Sequence, residues 1–416
     1  MNLQNRVSGV FDELFAAGLP ERVGVAVSGG GDSVALLQLA VSWARDRDVQ
    51  IFAATVDHGL RPGAREEAVQ VGEMCMAIGV QHEILEWRGW DKSGNLQDAA
   101  RKARISLLGN WAKTHQISDV ATGHTQDDQA ETVLIRLGRG SGVDGLSGIP
   151  ATRMDANVRW IRPLLETGRE ELRQLLRTEG INWIEDPSND DRRFERVKAR
   201  QAMTVLEDLG ITRKGLSETA GRMTKVRHVL DENTQIAAKN LAKTEFGDVF
   251  LSFKEFFNLA EETRRRLLIH ALNWVSGAEY PPRSVPLAEL ETSVLIGKTS
   301  TLHGCMIMVR DGVIIITREY KSVSASICKT TEIWDNRWLF SGPHVPGYTV
   351  QALGETGLKL CPDWRDTGML RTSLLASPSV WNEKELVAAP LAGYGTGWSV
   401  EMLQSANHFY STIISH

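Results

Sequence analysis

The sequence predicts an α/β fold. A parallel-sheet domain spans residues 1–210, a helical domain with a hairpin spans 211–325, and a small, mostly β domain spans 326–416. Three observations carry this reading. Through residues 20–125, short apolar runs alternate with stretches of helical periodicity. From about 211 the helical period continues alone, and beyond 330 Gly, Pro and Trp gather around short strand-like pieces. A chain of 416 residues suits two or three domains of about 150 residues each.

Each element has its own signal. Val7, Val10, Phe11, Leu14 and Phe15 recur at helical spacing around Asp12 and Glu13, which predicts an amphipathic first helix and not a signal peptide. Apolar runs at 23–27, 49–56, 80–85 and 117–121 read as buried strands. Between them, Ala68, Val71, Cys75 and Ile78 mark one helix, and Leu96, Ala100, Ala103, Leu107 and Trp111 another. Such alternation implies right-handed βαβ units and a parallel sheet, whose ligands bind beyond the carboxyl ends of the strands. Further on, Leu216, Ala220, Met223, Val226 and Leu230 predict a long helix, and 253–275 a second. Runs 301–310 and 313–319 flank Asp311-Gly312, a strong hairpin signal. Trp334, Trp338, Trp364, Trp381 and Trp398 read as core packing in the last domain.

Composition excludes several classes. Hydrophobic residues at 42% and charged residues at 24% exclude a disordered chain. Lys plus Arg total 47 against 52 Asp plus Glu, so a uniformly basic nucleic-acid coat is excluded while a local patch is not. Cys75, Cys305, Cys328 and Cys361 form no CxxC and predict reduced, mostly buried thiols. No apolar run approaches a membrane span, which predicts a cytoplasmic protein without a membrane partner.

The first strand runs into Ser28-Gly29-Gly30-Gly31-Asp32-Ser33 and then a helix. Three glycines let backbone N–H groups approach a ligand closely, and the helix N-terminus behind them favours an anion such as pyrophosphate. Ser28 and Ser33 add hydroxyl donors. Asp32 repels phosphate unless Mg²⁺ lies between them, so a hard cation held by carboxylate and phosphate is implied. Gly140-Ser141-Gly142-Val143-Asp144-Gly145 fits GxGxxG in letters only, because it follows a helix and not a strand.

Ser-Gly-Gly-x-Asp-Ser after a first strand resembles the loop of the ATP pyrophosphatases. Further segments narrow the match: Val56-Asp57-His58-Gly59-Leu60-Arg61, Asn95-Leu96 before Ala100-Arg101 and Arg104, and Gly123-His124 through Asp127-Asp128-Gln129-Ala130-Glu131-Thr132. Then come Arg139-Gly140-Ser141-Gly142, Arg162-Pro163-Leu164-Leu165 and Glu185-Asp186-Pro187-Ser188-Asn189. This ordered set resembles the tRNA(Ile)-lysidine synthetase family. The resemblance implies an ATP-dependent ligase that joins free L-lysine to the wobble cytidine of a CAU-anticodon isoleucine tRNA. ATP first adenylates the cytosine, and the lysine ε-amine then expels AMP. A thiolase with the same loop and an ammonia-using synthetase are the alternatives; four isolated cysteines argue against the first.

The residues suit that chemistry. By resemblance, Asp57 and His58 help form the nucleotide site together with His124. Asp127, Asp128 and Glu131 open a helix, and Asp127 and Glu131 share a face. They are candidates to bind Mg²⁺, to recognise the lysine α-ammonium or to deprotonate its ε-amine, and they also suit the helix dipole. Arg101 and Arg104 fall where the family places arginines near the adenylated base. Arg192, Arg193, Arg196 and Arg200, with Arg136 and Arg139, are the candidates for tRNA phosphate contact.

Overall fold

The computed structural model describes residues 2–60, 63–88, 96–185, 195–278 and 280–414. They divide into two compact units, Met1–Arg227 and His228–His416.

The first unit begins with α1 (Leu3–Leu14), β1 (Arg22–Ala26), α2 (Gly31–Ala44), β2 (Gln50–Asp57), α3 (Ala64–Ala77) and β3 (Gln81–Glu86). It continues with α4 (Leu96–Thr114), β4 (Asp119–Thr122), α5 (Gln126–Gly138), α6 (Val143–Leu146), β5 (Thr152–Asp155) and β6 (Val158–Ile161). Three helices follow: α7 (Arg169–Thr178), α8 (Glu195–Asp208) and α9 (Arg213–Leu241). The boundary between the units falls inside α9.

The strands order as β3-β2-β1-β4-β6-β5, parallel except for the antiparallel edge strand β5. The fully buried centre of β1 explains its unbroken apolar run. One apolar core joins α1, α2 and α7 to the sheet, and Trp111 and Trp160 belong to a second core with α4. The predicted amphipathic first helix buries Val7 and Phe11, and Phe11 stacks on Trp43 with centroids 4.7 Å apart. With β1 and β4 adjacent at the centre, the loops after them emerge side by side. That is where a parallel sheet places its ligand.

The second unit contains β7 (Ala242–Glu245), β8 (Asp248–Ser252), α10 (Phe253–Asn258), α11 (Glu261–Ser276), α12 (Ser284–Leu295), β9 (Ser300–Leu302), β10 (Cys305–Arg310) and β11 (Val313–Arg318). The helix expected over 253–275 is two helices. Leu259 and Ala260 are extended between them, and Glu261 and Glu262 open the second with acids suited to a helix N-terminus. The strand expected over 301–310 is also divided. His303 and Gly304 both have positive φ, 57° and 71°, and turn β9 back onto β10. The Asp311-Gly312 hairpin forms as expected, with φ of 49° and 75°.

The remaining strands are β12 (Cys328–Lys329), β13 (Trp338–Ser341), β14 (Tyr348–Ala352), β15 (Pro378–Asn382), β16 (Glu385–Ala388) and β17 (Ser399–Met402). They make a four-stranded and a two-stranded sheet. Trp334, Trp338 and Trp381 are buried, so these three serve packing. Among the described residues no helix is long and apolar enough to cross a membrane.

Candidate active site

The phosphate loop is held by its own serines. The Ser33 hydroxyl donates to the Gly30 carbonyl (2.9 Å), accepts from the Ser28 N–H (3.1 Å) and lies 3.2 Å from the Ser28 hydroxyl. Gly29 has φ +87°, and its carbonyl accepts from the Ile184 N–H at 2.9 Å. Gly30 caps α2, so the Gly31, Asp32 and Ser33 positions present the positive end of a 14-residue helix. An anion-binding cradle with one carboxylate, Asp32, follows from this turn.

The loop after β4 completes the site. Thr125 and Asp128 form a capping box at the start of α5: the Asp128 carboxylate accepts from both the Thr125 N–H and hydroxyl at 2.8 Å. Asp127, Asp128 and Glu131 thus sit on the first turns of α5, and Asp32 joins them from α2. Their common partner is Arg169, at the first position of α7. Its Nε meets Asp32 Oδ2 at 3.0 Å, Nη2 meets Asp128 Oδ1 at 3.3 Å, and Nη1 meets Glu131 Oε1 at 3.5 Å. Its backbone N–H donates to Asp127 Oδ2 at 2.8 Å.

Three further arginines close the cluster. Arg213 Nε lies 3.2 Å from Asp127, Arg200 Nε 3.0 Å from Glu131, and Arg196 Nη1 3.9 Å from Asp128. The Glu131 side chain is only 3% exposed, and its Oε2 is buried with no hydrogen-bond partner. Burial pushes Asp32 up, opposed by Arg169. Burial also works against Asp128, but Arg169 and the Thr125 N–H win and hold it below the usual carboxylate range.

Histidines line the same end of the sheet. Burial drives His124 down to about 3, against the pull of Asp128 and with help from Arg162, Arg104 and Arg196. It is therefore a neutral imidazole at pH 7, with Nδ1 2.9 Å from the Thr122 hydroxyl. His58 is pushed down by burial and by Arg104, and its buried Nδ1 has no partner. Asp57 Oδ1 accepts from the Gly59 N–H at 2.9 Å, closing a turn at the end of β2. Arg101 and Arg104 are exposed on α4.

The basic candidates divide. Arg136 Nη1 donates to the Gly145 and Gly148 carbonyls at 3.0 and 2.8 Å, shaping the turn that carries α6. Arg139 pairs with Glu195 at the surface. Arg196 and Arg200 turn toward α5, while Arg192 and Arg193 lie outside the described residues. Sequence reading missed Arg169 and Arg213. One signal for Arg169 was available: a cation at a helix N-terminus opposes the dipole and calls for carboxylates nearby.

Residues 3–207 match the PP-loop domain family. A tRNA(Ile)-lysidine synthase of Ruegeria pomeroyi is 46% identical over 97% of this chain and 96% of its own length. One of Wolbachia pipientis wMel is 34% identical over 76% of each. Among solved structures, the U34-tRNA thiolase NcsA from Methanococcus maripaludis aligns at a TM-score of 0.46 and 17% identity, over 53% of this chain and 79% of its own. An ATP-pyrophosphatase loop, an acidic helix start beside it and near-full-length identity of this order agree: the chain belongs to the tRNA(Ile)-lysidine synthase family of ATP-dependent ligases.

Proposed function

We propose that the chain joins free L-lysine to the wobble cytidine of CAU-anticodon isoleucine tRNA in two steps at this site. The observation that carries the reading is the convergence of the phosphate loop, through Asp32, with the α5 carboxylates on one side of the sheet.

In the first step ATP adenylates the cytosine 2-carbonyl oxygen and pyrophosphate leaves. The amides at the start of α2 and the Ser28 hydroxyl suit the pyrophosphate, as donors aimed at developing charge, while the Ser33 hydroxyl, donating to the Gly30 carbonyl, holds the loop in shape. Asp57, His58 and His124 flank the nucleotide. His124, held neutral, accepts or donates a hydrogen bond without adding charge. Arg101 and Arg104 attend the adenylated base.

In the second step the lysine ε-amine attacks carbon 2 and AMP departs. A free lysine side chain has a pKa of about 10.4, so a base or desolvation is needed to expose its lone pair. Asp127, Asp128 and Glu131 are the carboxylates for this work, and the orphaned Glu131 Oε2 is an acceptor still free to take a proton or an ammonium N–H.

The residues also fit Mg²⁺. This ion is usually held by one or two carboxylates plus substrate phosphates, which is the donor set of Asp32 beside the phosphate loop. Bound there, it supplies charge neutralisation between carboxylate and phosphate.

For tRNA, Arg139 and Arg196, half-exposed or more, suit phosphate contact. Arg192 and Arg193 belong to the same basic run. Arg136 and Arg200 contribute by shaping the turn that carries α6 and by holding Glu131. Residues 211–325 and 326–416 hold the body of the tRNA. A sulfur-transfer reading is disfavoured because burial pushes all four thiols up, Cys75 and Cys361 to about 11 and Cys305 to about 12, with Cys328 raised in the same direction, away from a reactive thiolate. Incubation with ATP, labelled lysine and CAU-anticodon isoleucine tRNA tests the proposal. Lysine must enter the tRNA with release of AMP and pyrophosphate, and absence of label in the tRNA refutes it.

A further inference from the structure

Arg169 is the hub of the acidic cluster, and its three guanidinium nitrogens each serve a different carboxylate. We infer that Arg169 is a positioning residue for the nucleotide half of the reaction: it fixes the Asp32 carboxylate against α5 and acts through Asp32, not on the substrate. This deepens the function proposed above and rests on it.

Each α5 carboxylate has a second cation: Arg213 for Asp127, Arg196 for Asp128 and Arg200 for Glu131. Among the described residues Asp32 has only Arg169 within ion-pair distance. Losing Arg169 therefore leaves α5 largely neutralised and Asp32 without an ion pair, offset only by the more distant charge of Arg173. Asp32 then faces the like charge of Asp128 with no bond to orient it. The geometry also requires a fork. Arg169 is 16% exposed and spans two helices with a planar group, whereas an ammonium is a compact point charge on a flexible stem. The anchoring is firm, because the Arg169 N–H is tied to Asp127 at 2.8 Å, so the fork starts from a fixed backbone.

The test is a double-mutant cycle on Arg169→Gln and Asp32→Asn, read in Mg²⁺–ATP binding by equilibrium dialysis. Steady-state constants for Arg169→Gln accompany it. Arg169→Gln is expected to raise KM for ATP by about 10- to 100-fold, as supporting residues of this kind do, and to leave KM for lysine within about threefold. General damage to the fold instead lowers kcat and leaves both KM values alone. In the Asp32→Asn background the Arg169→Gln effect on binding is expected to shrink to within about twofold, since two residues acting as one unit do not add. Arg169→Lys runs the same cycle should Arg169→Gln fail to fold; it keeps the charge, loses the fork and is expected to recover only part of the loss. An undiminished effect in the Asp32→Asn background overturns the inference, because Arg169 then acts on the nucleotide directly. A wild-type protein that neither binds ATP nor joins lysine to tRNA refutes the proposed function instead.

Discussion

Gly123 stands directly against the backbone of Asp32: a Cβ at position 123 would lie 3.1 Å from the Asp32 carbonyl carbon and oxygen. The loop leaving β4 and the first turn of α2 are thereby locked together without any side chain between them. This contact sets the separation of the nucleotide loop from His124 and α5. Gly123→Ala must push α2 away from β4, because the neighbour is backbone and cannot rotate aside. Overpacking of this kind costs about 1–3 kcal/mol. A lowered urea midpoint, with a larger fractional loss in pyrophosphate release, is the expected result.

Gly29 meets two constraints at once. Its φ of +87° lies in the left-handed region, and a Cβ there would sit 2.6 Å from Ile184 Cδ1. The first costs a non-glycine residue about 1–2 kcal/mol. The second is contact with the end of a flexible side chain and is relieved by trimming it. Gly29→Ala is expected to destabilise the fold and raise KM for ATP. Adding Ile184→Ala should return only the contact part of the loss, so a full recovery would show that the φ of residue 29 imposes no strain.

The two loops that carry Gly29 and Gly123 could both be read from the sequence, and the reason is locality. Residues 23–33 contain their own strand, turn and helix signals, as do 121–134, so period and glycine placement suffice. Arg169 could not be found that way, because its contact with Asp32 spans 137 positions and only the sheet order brings them together. The pairing of Arg196 and Arg200 with α5 was hidden for a related reason. A basic run looks solvent-facing until the acids across from it are known, and Glu131 lies 69 positions from Arg200. The break at 259–260 was hidden because apolar residues keep helical spacing through it.

His124 ties stability to pH with a definite sign. Its folded value, about 3, lies below the ordinary 6.5, chiefly through burial. The unfolded chain therefore binds more protons between these limits. The contribution of His124 to stability is complete above about 6.5 and declines as pH falls toward 3, by up to about 1.4 kcal/mol per pH unit. His124→Gln should flatten that dependence between pH 6.5 and 4, measured as urea midpoints. A slope equal to that of the wild type would show that His124 is not the titrating group.

Asp248 works in the opposite sense in the second unit. Its carboxyl is buried at the start of β8, accepts from the Ser373 hydroxyl, and is pushed up to about 7 by burial against the partial relief of Ser373 and Arg337. Here the folded chain binds the proton more tightly than the unfolded chain does. The favourable contribution is complete below about 3.8 and is lost as pH rises through 7, because ionisation strands a charge in the interior. Asp248→Asn keeps the shape and an acceptor for Ser373 while removing the charge. The variant is expected to unfold at higher urea than the wild type at pH 8, with the gap closing as the pH drops to 5. A variant less stable at pH 8 would mean that Arg337, itself fully buried near Asp248, needs the carboxylate more than the interior resists it.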